Sequence, residues 1–171
     1  MTSTRRITSV VGTLPERSYA CAVSGEHALR CTMLTVSADQ IHSFEGRGAD
    51  FVDLLRQLLY VEAYTHDLAL GGIHVTAQIT VADGGEDGRI EWRDGRERTD
   101  YLPTRFTLFQ IKATTMAKAK CKNEVVDGDT KALKPAILEV AQRSGTYVVF
   151  GTDICSPPML RDRVDGLREG V

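Results

Sequence analysis

The stretch Ile73-His74-Val75-Thr76-Ala77-Gln78-Ile79-Thr80-Val81, then Asp83-Gly84-Gly85-Glu86-Asp87-Gly88, then Arg89-Ile90-Glu91-Trp92-Arg93, decides how this chain is read. Ile73, Val75, Ala77, Ile79 and Val81 alternate with His74, Thr76, Gln78 and Thr80, the period of a strand with one apolar face. The acidic, glycine-rich run 83–88 cannot continue that strand, because its glycines permit positive φ and a tight turn. Residues 89–93 then predict a second strand, with Ile90 and Trp92 on one face.

Upstream, Phe51, Leu54, Leu55, Leu58 and Leu59 recur at helical spacing and predict an amphipathic helix over residues 49–62. Downstream, an acidic polar turn at 94–99 leads to a third strand over 105–113, rich in Phe, Thr, Leu and Ile. Residues 118–130 are polar and read as a loop. Leu133, Ile137, Leu138 and Ala141 form a helical stripe over 131–144, stopped by Gly145. The continuous apolar run 147–150 predicts a short strand, central in its sheet. Pro157-Pro158 breaks the chain, and a charged helix follows from Met159.

The order helix, three strands, helix, strand defines an α/β fold. The helix between the third and last strands makes a crossover, so those two strands run parallel. The first three, joined by shorter links, form an antiparallel meander. The expectation is a mixed central sheet flanked by helices. Residues 1–43 read as an N-terminal extension, in which Ser24-Gly25 turns the strand-compatible stretch 19–36 into a hairpin. Residues 44–171 read as one domain.

The chain of 171 residues is long enough for one domain with a substantial core. Its formal net charge of −2 argues against a general nucleic-acid coat protein, while leaving room for an enzyme that meets DNA over one local basic surface. No apolar run approaches the roughly 20 residues of a membrane-spanning helix, and no signal peptide is read at the N-terminus. Cys21, Cys31, Cys121 and Cys155 show neither CxxC nor zinc-finger spacing, and read as thiols of a reducing cytoplasm. His27, His42, His66 and His74 lack ligand spacing. No phosphate-binding loop, dinucleotide fingerprint or nucleophile elbow occurs.

Two places concentrate polar residues beside strands: the 83–88 turn and Phe109-Gln110-Ile111-Lys112-Ala113. Period-two alternation sets Gln110 and Lys112 on the face of Phe106 and Leu108. A lysine emerging from an apolar face needs an anion beside it, a carboxylate or a phosphate. Were the second and third strands neighbours, Asp87 would approach Gln110 and Lys112. A carboxylate, an amide oxygen and a backbone carbonyl are hard ligands suited to Mg²⁺ or Mn²⁺.

The series helix, Gly-Gly-Glu-Asp-Gly, strand, Phe-Gln-Ile-Lys, helix, strand resembles the core of the PD-(D/E)XK, or restriction-endonuclease-like, nucleases. It is most similar to members with a Gln-x-Lys motif, such as Mrr-like enzymes and phage-defence nuclease domains. The resemblance spans about residues 44–152 and implies an αβββαβ core. It implies catalytic roles for Asp87, Gln110 and Lys112, with Asp87, Gln110 and the backbone carbonyl of Ile111 as ligands of Mg²⁺ or Mn²⁺. It also implies an acidic residue on the helix before the first strand. Asp53 and Glu62 both answer to that description, and Glu45 lies just ahead.

The implied activity is hydrolysis of DNA, double-stranded, by the effector domain of a bacterial anti-phage system; an RNA or single-strand nuclease would carry the same metal site. Such a domain works as a homo-oligomer or within a larger complex or polypeptide. Lys118, Lys120 and Lys122, with Arg161, Arg163 and Arg168, offer phosphate contacts. Gln110 is neutral where many relatives carry Asp or Glu, which weakens attraction for a divalent ion. Either a third carboxylate compensates, or metal binds only with substrate, or the domain is a catalytically weak or inactive DNA-binding or assembly module.

Overall fold

A computed structural model describes residues 37–76 and 85–171. The hairpin expected within 19–36, the end of the alternation beyond Thr76, and Cys21, Cys31 and His27 lie outside the described residues.

The chain enters through a short helix α1 (Ala38–His42), closed by a capping box in which Ser37 and Gln40 bond each other's backbone N–H. Helix α2 (Gly48–Thr65) follows, then strands β1 (Ile73–Val75), β2 (Gly88–Glu91) and β3 (Phe106–Lys112). Helices α3 (Lys118–Val125) and α4 (Pro135–Gln142) lead to β4 (Thr146–Gly151) and the final helix α5 (Pro157–Glu169). The sheet order is β1-β2-β3-β4, with antiparallel pairing up to β3 and parallel pairing of β3 with β4. The fold is thus mixed α/β, with a mixed sheet between helices.

Each face of the sheet has its own core. The odd-numbered side chains of β3, Phe109 and Ile111, pack with Ile90 and Trp92 against Phe51, Leu55 and Leu59 of α2. The even-numbered Phe106 and Leu108 pack with Tyr147 against α3, α4 and α5. Alternation along one strand therefore feeds both layers. The α2 stripe is buried as its spacing requires, and Phe51 stacks on Phe150 with ring centroids 4.5 Å apart.

Several expectations are corrected. Pro157 and Pro158 open helix α5 rather than breaking the chain ahead of Met159, since proline is tolerated in a helix's first turn. Residues 118–125 form helix α3 rather than loop. Its buried apolar positions are Cys121 and Val125, an i, i+4 pair facing the core, while its remaining residues are mostly charged and solvated. Helix α4 begins at Pro135 and not at residue 131, since the residue before a proline is pushed out of the helical region (Lys134 has ψ 150°). Strand β4 pairs only with β3 among the described residues, so it lies at the sheet's edge rather than its centre. Its apolar run is explained by helices on both faces: Val148 and Phe150 meet the α2 core, and Tyr147 and Val149 the other.

Two features fix the far side of the sheet. Gly166 of α5 lies so close to α3 that a Cβ there would clash with the Lys118 carbonyl. Arg163 of the same helix is buried and pairs with Asp153 at 2.6 Å, and Asp153 also accepts the Met116 N–H at 2.7 Å. The expectation that Arg163 contacts phosphate is corrected by this burial; Arg161 and Arg168 are exposed. Ile41 of α1 packs on the α2 core, and the His42 ring lies 3.3 Å from the Thr152 carbonyl. No helix among the described residues is long and apolar enough to cross a membrane.

Candidate functional site

The site grows out of the place where the β2–β3 ladder stops. Gly88, the first residue of β2, marks the end of the register with β3, opposite Phe109. One residue earlier, Asp87 still donates its N–H to the Phe109 carbonyl at 2.9 Å. Before Asp87 the chain turns away through Gly85, whose φ of +97° suits glycine. The Asp87 side chain takes over from the departed backbone. Its carboxylate accepts the Ile111 N–H at 2.6 Å and a hydrogen bond from the Gln110 amide.

Asp87 is 2% exposed and Gln110 6%. A buried carboxylate is costly unless it is hydrogen-bonded, and these two donors meet that need. The Gln110 carbonyl in turn lies 3.4 Å from the Tyr147 hydroxyl, which also lies 3.3 Å from the Gly85 carbonyl. Tyr147 thus ties the turn before β2 to the amide on β3.

Lys112 shares the Gln110 face of β3, and the anion it requires is Glu124 of α3, with Nζ to Oε2 3.0 Å. Lys134, the residue that precedes α4, approaches the same oxygen at 3.8 Å. Neither Glu124 nor Lys134 stands out in the sequence. The signal was indirect: an ammonium on an apolar strand face demands a carboxylate partner, and Glu124 sits on a segment whose polarity disguised a helix.

The candidate acids before β1 separate. Glu62 accepts from Thr99 and from the Tyr101 N–H at 3.3 Å, and lies 3.4 Å from His66. Thr99 and Tyr101 belong to the segment that precedes β3, opposite the end that carries Ile111, and His66 closes α2. Asp53 pairs with Arg56 on α2, and the Arg56 guanidinium reaches the carbonyls of Val75 and Thr76 at 3.5 Å. Thr76 donates its N–H to the Asp87 carbonyl at 3.0 Å, so Asp53 stands at the outer end of a chain of contacts leading to Asp87. Glu45 accepts from Thr115 at 3.2 Å, beyond the end of β3. Of the three α3 lysines, Lys118 pairs with Glu169, Lys120 donates to the Thr115 carbonyl at 3.2 Å, and Lys122 is exposed.

Oxygen donors of the kind that suit a hard cation lie along this edge, with the Gln110 nitrogen turned to Asp87 and its oxygen to Tyr147. In an extended strand the N–H and C=O of one residue project to the same side. The Ile111 carbonyl therefore faces the edge on which Asp87 lies. The Asp87 carboxylate, the Ile111 carbonyl and the Gln110 carbonyl make a set that fits Mg²⁺ or Mn²⁺ in kind. Among the described residues, no group of three or more His, Cys, Asp or Glu side chains is placed to hold a metal ion. The fit thus depends on amide and main-chain oxygens beside one carboxylate. No family model, curated protein or solved structure matches the chain.

Proposed function

We propose that this chain is a metal-dependent endonuclease that hydrolyses DNA phosphodiester bonds, built on a restriction-endonuclease-like αβββαβ core. The observation that carries the reading is the convergence of the Asp87 carboxylate, the Gln110 amide and the Ile111 main chain, one residue short of Lys112. The order α2, β1, β2, β3, α4, β4, with a meander followed by a parallel strand, supports that core. Helix α3 is an addition between β3 and α4. Double-stranded DNA as substrate, a cytoplasmic setting, and work as a homo-oligomer or within a larger defence complex or polypeptide rest on the family resemblance. So does the role as effector domain of a bacterial anti-phage system.

Asp87, Gln110 and the Ile111 carbonyl would hold Mg²⁺ or Mn²⁺. Such an ion supplies Lewis-acid polarisation of the scissile phosphate and a bound water of lowered pKa. The chain's own residues do the rest. Asp87 is held in place by its two N–H donors. Gln110 can turn its amide either way, because the Tyr147 hydroxyl both donates and accepts. With its nitrogen toward Asp87 it tethers the carboxylate. With its oxygen toward Asp87, the two oxygens repel unless a cation lies between them. Lys112 carries the fixed positive charge that stabilises negative charge building on the phosphoryl oxygens.

One observation favours a second reading, a DNA-binding or assembly module that cuts weakly or not at all. The Gln110 nitrogen faces Asp87 and its oxygen faces Tyr147, an arrangement that is structurally sufficient without a cation.

The test is incubation of supercoiled plasmid with Mg²⁺ or Mn²⁺, comparing wild type with Asp87→Asn and Lys112→Ala. The nuclease reading expects nicking by wild type and a loss of about 100-fold or more in each variant. Equal cleavage by all three removes the site assignment. Absence of cleavage, together with no divalent-ion affinity even with DNA present, selects the second reading.

A further inference from the structure

Lys112, Glu124 and Lys134 form a cluster that the three-residue site does not account for. Both ammonium groups approach the same carboxylate oxygen, Oε2 of Glu124, at 3.0 and 3.8 Å. All three side chains are at most a quarter exposed. Two lysines around one glutamate leave a net positive charge in a half-shielded place, next to the buried Asp87 turn.

Lys134 is delivered there by the local fold. A bridge between Val126 and Leu133 folds the intervening loop back, and the Lys134 N–H donates to the Val125 carbonyl at 3.0 Å. Its stem lies against the turn before β2, where a Cβ on Gly85 would come 3.0 Å from Lys134 Cδ. Lys134 also occupies the N-cap of α4 with no side-chain cap. Helix electrostatics disfavour a cation at that end, and Ser, Asp or Asn would cap it better. In the free protein the Glu124 carboxylate is the anion beside this cation.

We propose that Glu124 is a latch: its carboxylate occupies the position that a non-bridging phosphate oxygen of bound DNA takes, and Lys134 is the second phosphate-binding cation beside Lys112. This inference rests on the phosphodiester-site reading given above. Carboxylate and phosphate oxygens are both anionic acceptors for the same ammonium donors. Exchange of one for the other keeps both lysines ordered and paired in the free protein, at the expense of affinity. No covalent step is involved.

The test is binding of a short labelled DNA duplex in EDTA, so that no cleavage intervenes, across a series of salt concentrations. Wild type is compared with Glu124→Gln, Lys134→Gln and a control, Glu97→Gln, which neutralises an exposed acid in the segment leading to β3. Glu124→Gln should bind about fivefold tighter or more, and the control should stay within about twofold of wild type. Lys134→Gln should bind more weakly, with a salt slope smaller by about one. Equal gains in Glu124→Gln and Glu97→Gln, or an unchanged slope in Lys134→Gln, overturn the latch. If Glu124→Gln does not fold, Lys134→Gln decides alone. Plasmid cleavage is scored separately. A chain that shows these shifts but does not cut keeps the latch and loses the nuclease, and one that cuts without them does the reverse.

Discussion

The backbone N–H of Ile111 donates to the carboxylate of Asp87 at 2.6 Å, just past the point where β2 and β3 cease to pair in register. A side-chain oxygen here fills the role that a strand carbonyl would fill one step further along. Asp87 is therefore structural as well as a candidate ligand. Asp87→Ala leaves the Ile111 N–H and the Gln110 amide without their acceptor, and should cost about 2–4 kcal/mol. Asp87→Asn keeps one acceptor oxygen and should cost less. Urea unfolding measures both, and faster hydrogen exchange at the Ile111 amide in Asp87→Ala locates the effect. Equal stability of Asp87→Ala and wild type would refute this account.

Gln110→Glu replaces the amide donor with a second carboxylate facing Asp87. Without a cation the two charges repel across a buried gap, and the melting temperature in EDTA should fall below that of wild type. With Mn²⁺ present the same pair becomes the stronger ligand set. The Mn²⁺-dependent rise in melting temperature should exceed that of wild type, as expected when an ion binds only the folded form. Thermal scans at several Mn²⁺ concentrations check this, and a variant indifferent to Mn²⁺ speaks against a cation site at Asp87.

Arg163 and Asp153 form an ion pair whose side chains are 7% and 8% exposed. Removing one partner of such a pair leaves a buried charge uncompensated, with a typical penalty of about 3–5 kcal/mol. Arg163→Ala should therefore unfold at markedly lower urea concentration. Arg161→Ala, on the exposed side of the same helix, should stay within about 0.5 kcal/mol of wild type. Similar losses in the two variants would contradict the burial described for Arg163.

Arg143 donates to Glu91 at 2.5 Å, and this hydrogen bond holds the Glu91 carboxyl below its ordinary value of 4.5. A carboxylate with a depressed folded-state pKa contributes stability above its unfolded-state pKa, and that contribution disappears as pH falls through the folded-state value. The stabilising effect should thus be complete at neutral pH and fade below about pH 4.5. Melting curves of wild type and Glu91→Gln should converge over that acid range. A gap between them that stays constant with pH would show that the charge is not involved.

Much of the architecture is legible in the residues themselves. The Leu and Phe spacing on α2, the alternation on β3 and the glycine-rich break before Asp87 each state a local geometry, while the β2–β3 register comes from the structure. Helix α3 is illegible for a physical reason: Cys121 and Val125 are its buried apolar positions, and burial against α5 stabilises it without a wide apolar stripe. The apolar run of β4 speaks of two covered faces, which helices supply as well as neighbouring strands would. In the site, Asp87, Gln110 and Lys112 could be named because each departs from the pattern of its own strand or turn. Glu124, Lys134 and Tyr147 conform to theirs, and only tertiary contact gives them a part. Glu62 fits a helical motif in sequence, yet its partners Thr99 and Tyr101 place it at the other end of the sheet.

The close approach of Gly166 to Lys118 gives the last helix leverage over the Lys112–Glu124 ion pair. Any side chain at position 166 must push α3 outward, and Glu124 rides on α3 about 1.7 turns from that contact. A single added methyl group would thereby reset how firmly Lys112 is restrained. The far end of the molecule is in this sense a tuning screw, turned by the smallest residue in the chain.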